Sequence, residues 1–471
     1  MIKYKRPLWW ITIMLITFGN SSCMSYYQKM RKFQEAAETG HIDQAATLLY
    51  KNKKAATGRN KLLFLMNAGW TEHMLSDKAK SNKMLNDADL MIEDYEKNIG
   101  LDALTLLSNP TIKPYKAESV ESVMLNYYKA MNYLALNDRQ GALVEARKIT
   151  NKLYALNDKY KGKNNRYSDD AFAHILIGMI YEADGDFNNA FIAYRNAVNV
   201  YTDVYQPNFG IATPHQLKQD VLRTAYLSGK TNELRRFERL FGLHYTYQKP
   251  EAQLVFFWEN GFGPVKDENR LEFIQVGSSS GGIATFRNEE LGLSFPVIIS
   301  NMNAKEQSAL AQFHIFQLAF PKYLSRPPVY HTATLQANGQ SYDLSLAEDI
   351  NAISFKTLKD RMLREIGSGI TRLVSKKAVE ALVRNENKEV GAVVGILNAV
   401  TEVADTRNWQ TLPHSISYVR IPLAVGQNSI TLQLQGRGMP LKSQTLEVQV
   451  RKGQTKFLNY RTLSSHPPRS L

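Results

Sequence analysis

The chain has 471 residues, of which 44% are hydrophobic and 22% charged, and its 58 Lys and Arg exceed its 44 Asp and Glu to give a net charge of +14. A single cysteine excludes any internal disulfide. No run of like charges is long enough to read as a disordered tail before Pro467.

The opening places Lys3, Lys5 and Arg6 before an apolar run from Leu8 to Phe18, then Gly19, Asn20, Ser21, Ser22 and Cys23. A charged start, a short apolar core and a small-residue stop are the layout of an export signal over residues 1–22. The apolar run is too short to span a bilayer comfortably. Cys23, preceded by two serines, stands where a bacterial lipoprotein carries its acylated cysteine, although Asn20 occupies a place where an aliphatic residue is usual. The alternative is a cleaved secretory signal followed by an inert thiol. Met24 after the cysteine, rather than an aspartate, resembles an outer-membrane address. An exported chain does not meet nucleic acid, so the basic balance points to anionic envelope surfaces, to acidic partners or simply to solubility.

Residues 23–244 read as stacked helices, with apolar positions three and four apart and short polar turns between them. The clearest unit runs from Ala171 to Asp203. Counted from Ala171, Gly178 falls at place eight, Tyr181 at eleven, Gly185 at fifteen, Ala190 at twenty, Tyr194 at twenty-four and Ala197 at twenty-seven. That spacing is the tetratricopeptide (TPR) pattern: two antiparallel helices cross closely where Gly178 and Ala190 leave room, the tyrosines fill the gaps, and Gly185 breaks the chain. Ala130, Tyr133, Asn137 and Ala142 stand in the same relative places within residues 123–154, Gly69 and Asp77 within 62–97, and Gly40 and Ala45 within 26–54. The helices after residue 203 are expected to cap the stack. One unit cannot bury its own apolar face, so the units form a solenoid.

The first helix of each unit lines the groove of such a solenoid. Here that predicts a lining of Met124, Tyr127, Met131 and Leu134, then Phe172, Ile175 and Met179 before Glu182. A lining this apolar requires an occupant. The occupant is either the chain's own C-terminal half or an apolar segment of an envelope protein.

Composition shifts near Tyr245, and residues 245–471 read as a β-rich domain, which makes the whole chain α+β. Strands are predicted over Gln253–Trp258, Leu271–Val276, Leu293–Ile299, His314–Phe320 and Val329–Gln336, with VGSSSGG (276–282) as a linker or hairpin tip. Residues 346–404 turn helical. Phe355, Leu358, Met362, Ile366, Ile370, Leu373 and Val374 form an apolar stripe flanked by lysines and arginines, which suits either anionic lipid or ordinary packing. Four strands follow, Ser415–Ile421, Ser429–Gln435, Gln444–Arg451 and Thr455–Arg461, expected to join as hairpins into a small antiparallel sandwich or sheet.

These pieces together resemble the TPR-containing bacterial lipoproteins. The stretches that carry the resemblance are the Cys23 leader, LNYYKAMNYLALNDRQGALVEARK, DDAFAHILIGMIYEADGDFNNAFIAYRNA, ENGFGPVK, and ADTRNWQTLP before the final strands. The resemblance implies an envelope lipoprotein without an established activity and a link to cell-wall assembly.

Candidate chemistry is sparse. Nine histidines are scattered, HExxH is absent, and so is a Gly-x-Ser-x-Gly elbow, so no catalytic residue, metal ligand or cofactor is assigned. A polar site would fall at Lys266, Asp405, Arg407 and Trp409, in loops at the junction of the two halves. The expected function is a lipid-anchored envelope scaffold for protein–protein interaction, tethered at Cys23 to the outer membrane on its periplasmic side. The alternative is an enzyme, or a regulator of one, acting on cell-wall or surface polymer through the C-terminal domain.

Overall fold

Helices come in antiparallel pairs because left-handed turn residues reverse the chain between them. The computed structural model describes residues 25–97, 111, 113–160, 167–276, 282–300, 315–386 and 403–470. Cys23 lies outside the described residues. The pairs are α1 (Arg31–Glu38) with α2 (Ile42–Lys51), α3 (Lys61–Met74) with α4 (Lys78–Lys97), and α5 (Ser119–Ala135) with α6 (Arg139–Tyr160). They continue as α7 (Ala171–Ala183) with α8 (Phe187–Val200), and α9 (His215–Leu227) with α10 (Thr231–Phe241). Gly40 and Gly185 turn the chain at φ +80°. Asn137, at the same repeat place, adopts φ +60°, a conformation its short polar side chain tolerates. The small residues at the crossings are required. A Cβ on Gly178 would lie 2.6 Å from the Tyr194 ring, and one on Gly69 would lie 2.5 Å from Leu85.

Among the described residues the strands form three sheets of four. They are β1 (Ala252–Asn260), β2 (Val265–Val276), β3 (Ile283–Asn288), β4 (Leu293–Ile298), β5 (Ile315–Leu324) and β6 (Thr332–Ala337). Then come β7 (Gln340–Asp343), β8 (Ser345–Asp349), β9 (Ser415–Leu423), β10 (Gly426–Gln435), β11 (Lys442–Val450) and β12 (Thr455–Thr462). The strand orders are β12-β1-β9-β8, β11-β10-β6-β7 and β4-β3-β2-β5.

Period two along the strands places the first sheet as the middle of three layers. Leu254, Phe256 and Trp258 of β1, with Val419, Ile421 and Leu423 of β9, pack against Leu335, Ile430, Leu432, Leu434, Val448 and Val450 of the second sheet. The intervening residues Val255, Phe257, Ile416 and Tyr418 face the other way and join the core of the helical stack. A strand buried on both faces reads as an unbroken apolar run, which LVFFW is. Each such side chain contributes about 1.5–3 kcal/mol by leaving water.

The third sheet stands beside this stack and is covered by α11 (Ile350–Glu386), whose Ile366, Ile370 and Leu373 bury against Leu271, Phe273, Leu318 and Phe320. The apolar stripe predicted along this helix is thus packed on protein over its described part. Among the described residues no helix is long and apolar enough to cross a membrane.

Three sequence expectations change. The segment 346–404 opens as strand β8 and is helical only from Ile350, with residues 387–402 outside the described part. Strands β3, β7 and β8 were not anticipated; they are short or mixed in character. The tail does not form its own module. β9 and β10 lie in different sheets, as do β11 and β12, so the turns near Gly426 and Gly453 are corners rather than hairpins. β12 instead runs parallel to β1, pairing Gln253 with Thr455 through Asn260 with Thr462.

Candidate functional site

The groove of the helical stack is occupied by the first sheet. Met124, Tyr127, Met131, Phe172, Ile175 and Met179 are all buried. They share one core with Val255 and Phe257 of β1 and Ile416 and Tyr418 of β9; the Phe172 ring meets Phe257 edge-on at 6.0 Å, and the Tyr127 hydroxyl donates to Glu259 Oε1 at 3.0 Å. Glu182, predicted at the rim of the lining, is also buried.

Charged side chains on the sheet are met by charged or polar partners on the helices. Glu259 of β1 accepts from Tyr127, from Tyr128 at 2.9 Å and from Arg461 Nη1 of β12 at 2.9 Å. Burial is the largest influence and pushes its carboxyl up, but the Arg461 charge and the hydrogen bonds from Arg461 and Tyr128 act together with the remaining contacts to make the net shift downward. Asn459 Nδ2 bridges Glu259 and His73 Nε2, and the opposite ring nitrogen of His73 lies 2.6 Å from Asn132 Oδ1. With Asn459 donating to Nε2, the proton sits on Nδ1 and is donated to Asn132. Burial, with Lys78 nearby, drives His73 down to about 4 and keeps it neutral.

A second centre lies under the neighbouring repeat. Arg420 of β9 donates through Nη2 to Glu182 Oε2 at 2.9 Å and to the Tyr194 hydroxyl at 3.1 Å. Arg223 of α9 reaches Glu182 with two nitrogens at 2.6 and 2.9 Å, and the Tyr418 hydroxyl donates to Asp220 at 3.1 Å. Burial raises Glu182, yet Arg223 and Arg420 hold it at about 2.

The polar junction gathers at the start of α5. Lys266, on β2 rather than in a loop, is buried and donates through Nζ to Glu118, which Arg361 of α11 also engages through both terminal nitrogens. Glu118 and Glu121 form a capping box at the helix start. Glu121 accepts from the Trp409 backbone N–H at 2.6 Å and from the Tyr115 hydroxyl at 2.5 Å. Arg407 forks onto Asp405 at 2.8 and 2.6 Å, sends Nη1 to Asn60 Oδ1 and to the Lys113 carbonyl, and lies 5.4 Å from the Tyr115 ring. Trp409 is buried beside Tyr128 at 5.9 Å. The structure therefore brings Lys266, Arg407 and Trp409 around one helix start, with Asp405 attached through Arg407. Sequence reasoning missed Glu118, Glu121 and Arg361. The available signal was the capping spacing of the two glutamates ahead of an apolar helix.

The chemistry of the junction is that of a latch in which the charged groups pair with one another, while the Trp409 indole N–H is buried without a partner. It also titrates. Burial pushes Glu121 up to about 7 with Glu118 adding to the effect, whereas Arg361 and Lys266 overcome burial to hold Glu118 at about 2. A carboxyl raised in the fold stabilises it below the ordinary carboxylate range, and that contribution fades as pH climbs through the raised value. His73 acts with the opposite sense: its contribution is present above about 6.5 and fades as pH falls through about 4. Glu121→Gln keeps one oxygen as acceptor for the Trp409 N–H, turns an amide donor toward the Tyr115 hydroxyl, and cannot ionise. Because His73 opposes Glu121 in this window, the test is the difference between the chains: the urea midpoint of the wild type is expected to drop relative to that of Glu121→Gln between about pH 5 and about pH 8.

Among the described residues no group of three or more His, Cys, Asp or Glu is placed to hold a metal ion. No family model matches the chain, and no curated protein matches it either. Solved structures are similar over part of it. MamA is 17% identical, covering 46% of this chain and 92% of its own, with a TM-score of 0.27. A set of nearly identical TPR-like repeats from Podosopora anserina is 13% identical over 46% of this chain and 94% of its own, with a TM-score of 0.29. The apo form of RapI is 13% identical over 49% of this chain and 57% of its own, with a TM-score of 0.33. Likeness at this level carries no argument about activity or partner. The repeat architecture stands on the helix pairs and their crossing glycines.

Proposed function

We propose that this protein is a lipid-tethered scaffold of the bacterial cell envelope, acylated at Cys23, held at the outer membrane on its periplasmic side, and joining partner proteins in a process linked to wall assembly. The observation that supports the scaffold reading is the filled groove. A TPR stack that captures a peptide keeps its concave lining available, whereas this one uses its lining on its own sheet through apolar contacts and buried ion pairs. The two halves thus form one preassembled body, and partners are left the outer faces. Large apolar side chains are exposed there at Leu90 of α4 and at Val144 and Tyr154 of α6, the second helices of successive units.

The test combines anchoring and contact in living cells. The wild-type chain is expected to incorporate an alkyne-tagged fatty acid and to sediment with outer membrane, and Cys23→Ser to do neither. A photo-crosslinking residue at Val144 is expected to yield an adduct of defined mass with another protein, and one at Met131 only adducts within the chain. Fatty-acid uptake that persists in Cys23→Ser would overturn the anchor. The absence of any intermolecular adduct from Leu90, Val144 and Tyr154 across growth states would overturn the scaffold.

A further inference from the structure

Each sheet ends in edge strands whose outward backbone groups can accept a further strand, and proteins blunt such edges with proline, shortness or cover. Most edges here are blunted in one of these ways. β4 carries Pro296 and β5 carries Pro321. β7 is only four residues long. β8 lies under the helices, where the Tyr201 hydroxyl donates to the Ala347 carbonyl at 2.6 Å and Tyr205 donates to Glu348. β12 sends Asn459 and Arg461 into the helical stack.

β11 has none of these three protections, and its charges are confined to Lys442 at one end and Glu447. It is nine residues long, contains no proline, and pairs with β10 in unbroken register from Gly426 with Val450 to Leu434 with Lys442. Residues 441–445 and 447 are exposed. The Thr445 carbonyl accepts from the side chain of its neighbour Gln444 at 3.1 Å, which places that carbonyl on the open side. Alternation along an antiparallel strand then puts the outward N–H and C=O groups on residues 443, 445, 447 and 449.

This edge is complementary to itself. An antiparallel copy centred on Leu446 sets 445 against 447 and 443 against 449, so outward groups meet outward groups along all nine residues. Lys442 falls opposite Val450 and Glu447 opposite Thr445, so no like charges face each other. Centring on residue 447 instead would oppose two glutamates, which is unfavourable. Leu446, half-buried at the margin of the sandwich core, meets its own copy, and exposed Leu441 comes beside the copy's Arg451. We infer that a second copy of this chain adds antiparallel to β11 about Leu446, joining two four-stranded sheets into one of eight.

Cys23 is the only cysteine, so in a full chain carrying Cys23→Ser an introduced thiol stands alone. Sedimentation at micromolar concentration is expected to show a dimer. Leu446→Cys is expected to oxidise to a covalent dimer in high yield, because residues facing each other in a non-hydrogen-bonded antiparallel pair sit about 4.5 Å apart, within disulfide reach. Gln444→Cys is displaced from its own copy by four residues, roughly 13 Å, and is expected to remain unlinked alone but to link when mixed with Val448→Cys. Thr445→Pro removes an outward N–H while sparing the bonds to β10, and is expected to leave a folded monomer. A monomer at every concentration up to about 100 μM would overturn the inference, since even weak specific interfaces associate in that range. So would equal oxidation at 444 and 446, or a dimer unaffected by Thr445→Pro in a chain whose urea midpoint is unchanged.

Discussion

Glu259→Ala is expected to destabilise the protein by about 3–5 kcal/mol, the usual cost of removing one partner from a buried charge pair. The loss is large because four side chains, Tyr127, Tyr128, Arg461 and Asn459, donate to this carboxylate. Arg461 would remain as a buried cation, with its other nitrogen held only by the Thr411 carbonyl at 3.0 Å. The hydroxyls of Tyr127 and Tyr128 would lose their acceptor while buried, each adding a desolvation penalty. Glu259→Gln keeps an oxygen for one tyrosine and is expected to cost less. The contrast is Glu233→Ala, which removes an exposed pair with Arg236 on α10. That change is expected to stay within about 0.5 kcal/mol. Urea unfolding of the three variants at neutral pH measures all of this.

The helical half alone, residues 25–244, is expected to fold its repeats yet fail to remain monomeric. Removing the strands uncovers Met124, Tyr127, Met131, Phe172, Ile175 and Met179 together and strips Glu182 of Arg420, leaving an apolar trough far larger than single surface hydrophobes. Strong binding of an apolar dye and rapid sedimentation as aggregates are the expected readings, against neither for the full chain. A well-behaved monomer with a dye response equal to that of the full chain would mean that the stack does not need the sheet.

The helical half was legible because its signals are local. Gly178 and Tyr194, sixteen places apart, meet across one helix pair, and Asn137 takes the left-handed turn that Gly185 takes a repeat later. The strands were legible singly, through period two and the run LVFFW. Their assembly was not, because β1 pairs with β12, so that Trp258 lies beside Tyr460, and no short-range pattern encodes a partner about two hundred residues away. The junction was half legible. Lys266 and Arg407 stood out as polar residues between halves, but their partners Glu118, Tyr115 and Asn60 lie between the repeat units, more than a hundred residues away in sequence. Arg420 and Glu259 went unmarked although each is a lone charge in an apolar strand, a pattern that requires a buried partner once both faces of the sheet are known to be covered.

The account rests on the sheet sitting in the groove in solution, and a double-mutant cycle on Glu182 and Arg420 tests that most directly, since one residue lies on α7 and the other on β9. Glu182→Gln, Arg420→Met and the double variant are unfolded in urea alongside the wild type. A coupling energy of about 1–3 kcal/mol is predicted for side chains in direct contact within one network. Coupling within about 0.3–0.5 kcal/mol of zero, the value for independent sites, would contradict the filled groove and return its lining to the surface as a binding site for another chain.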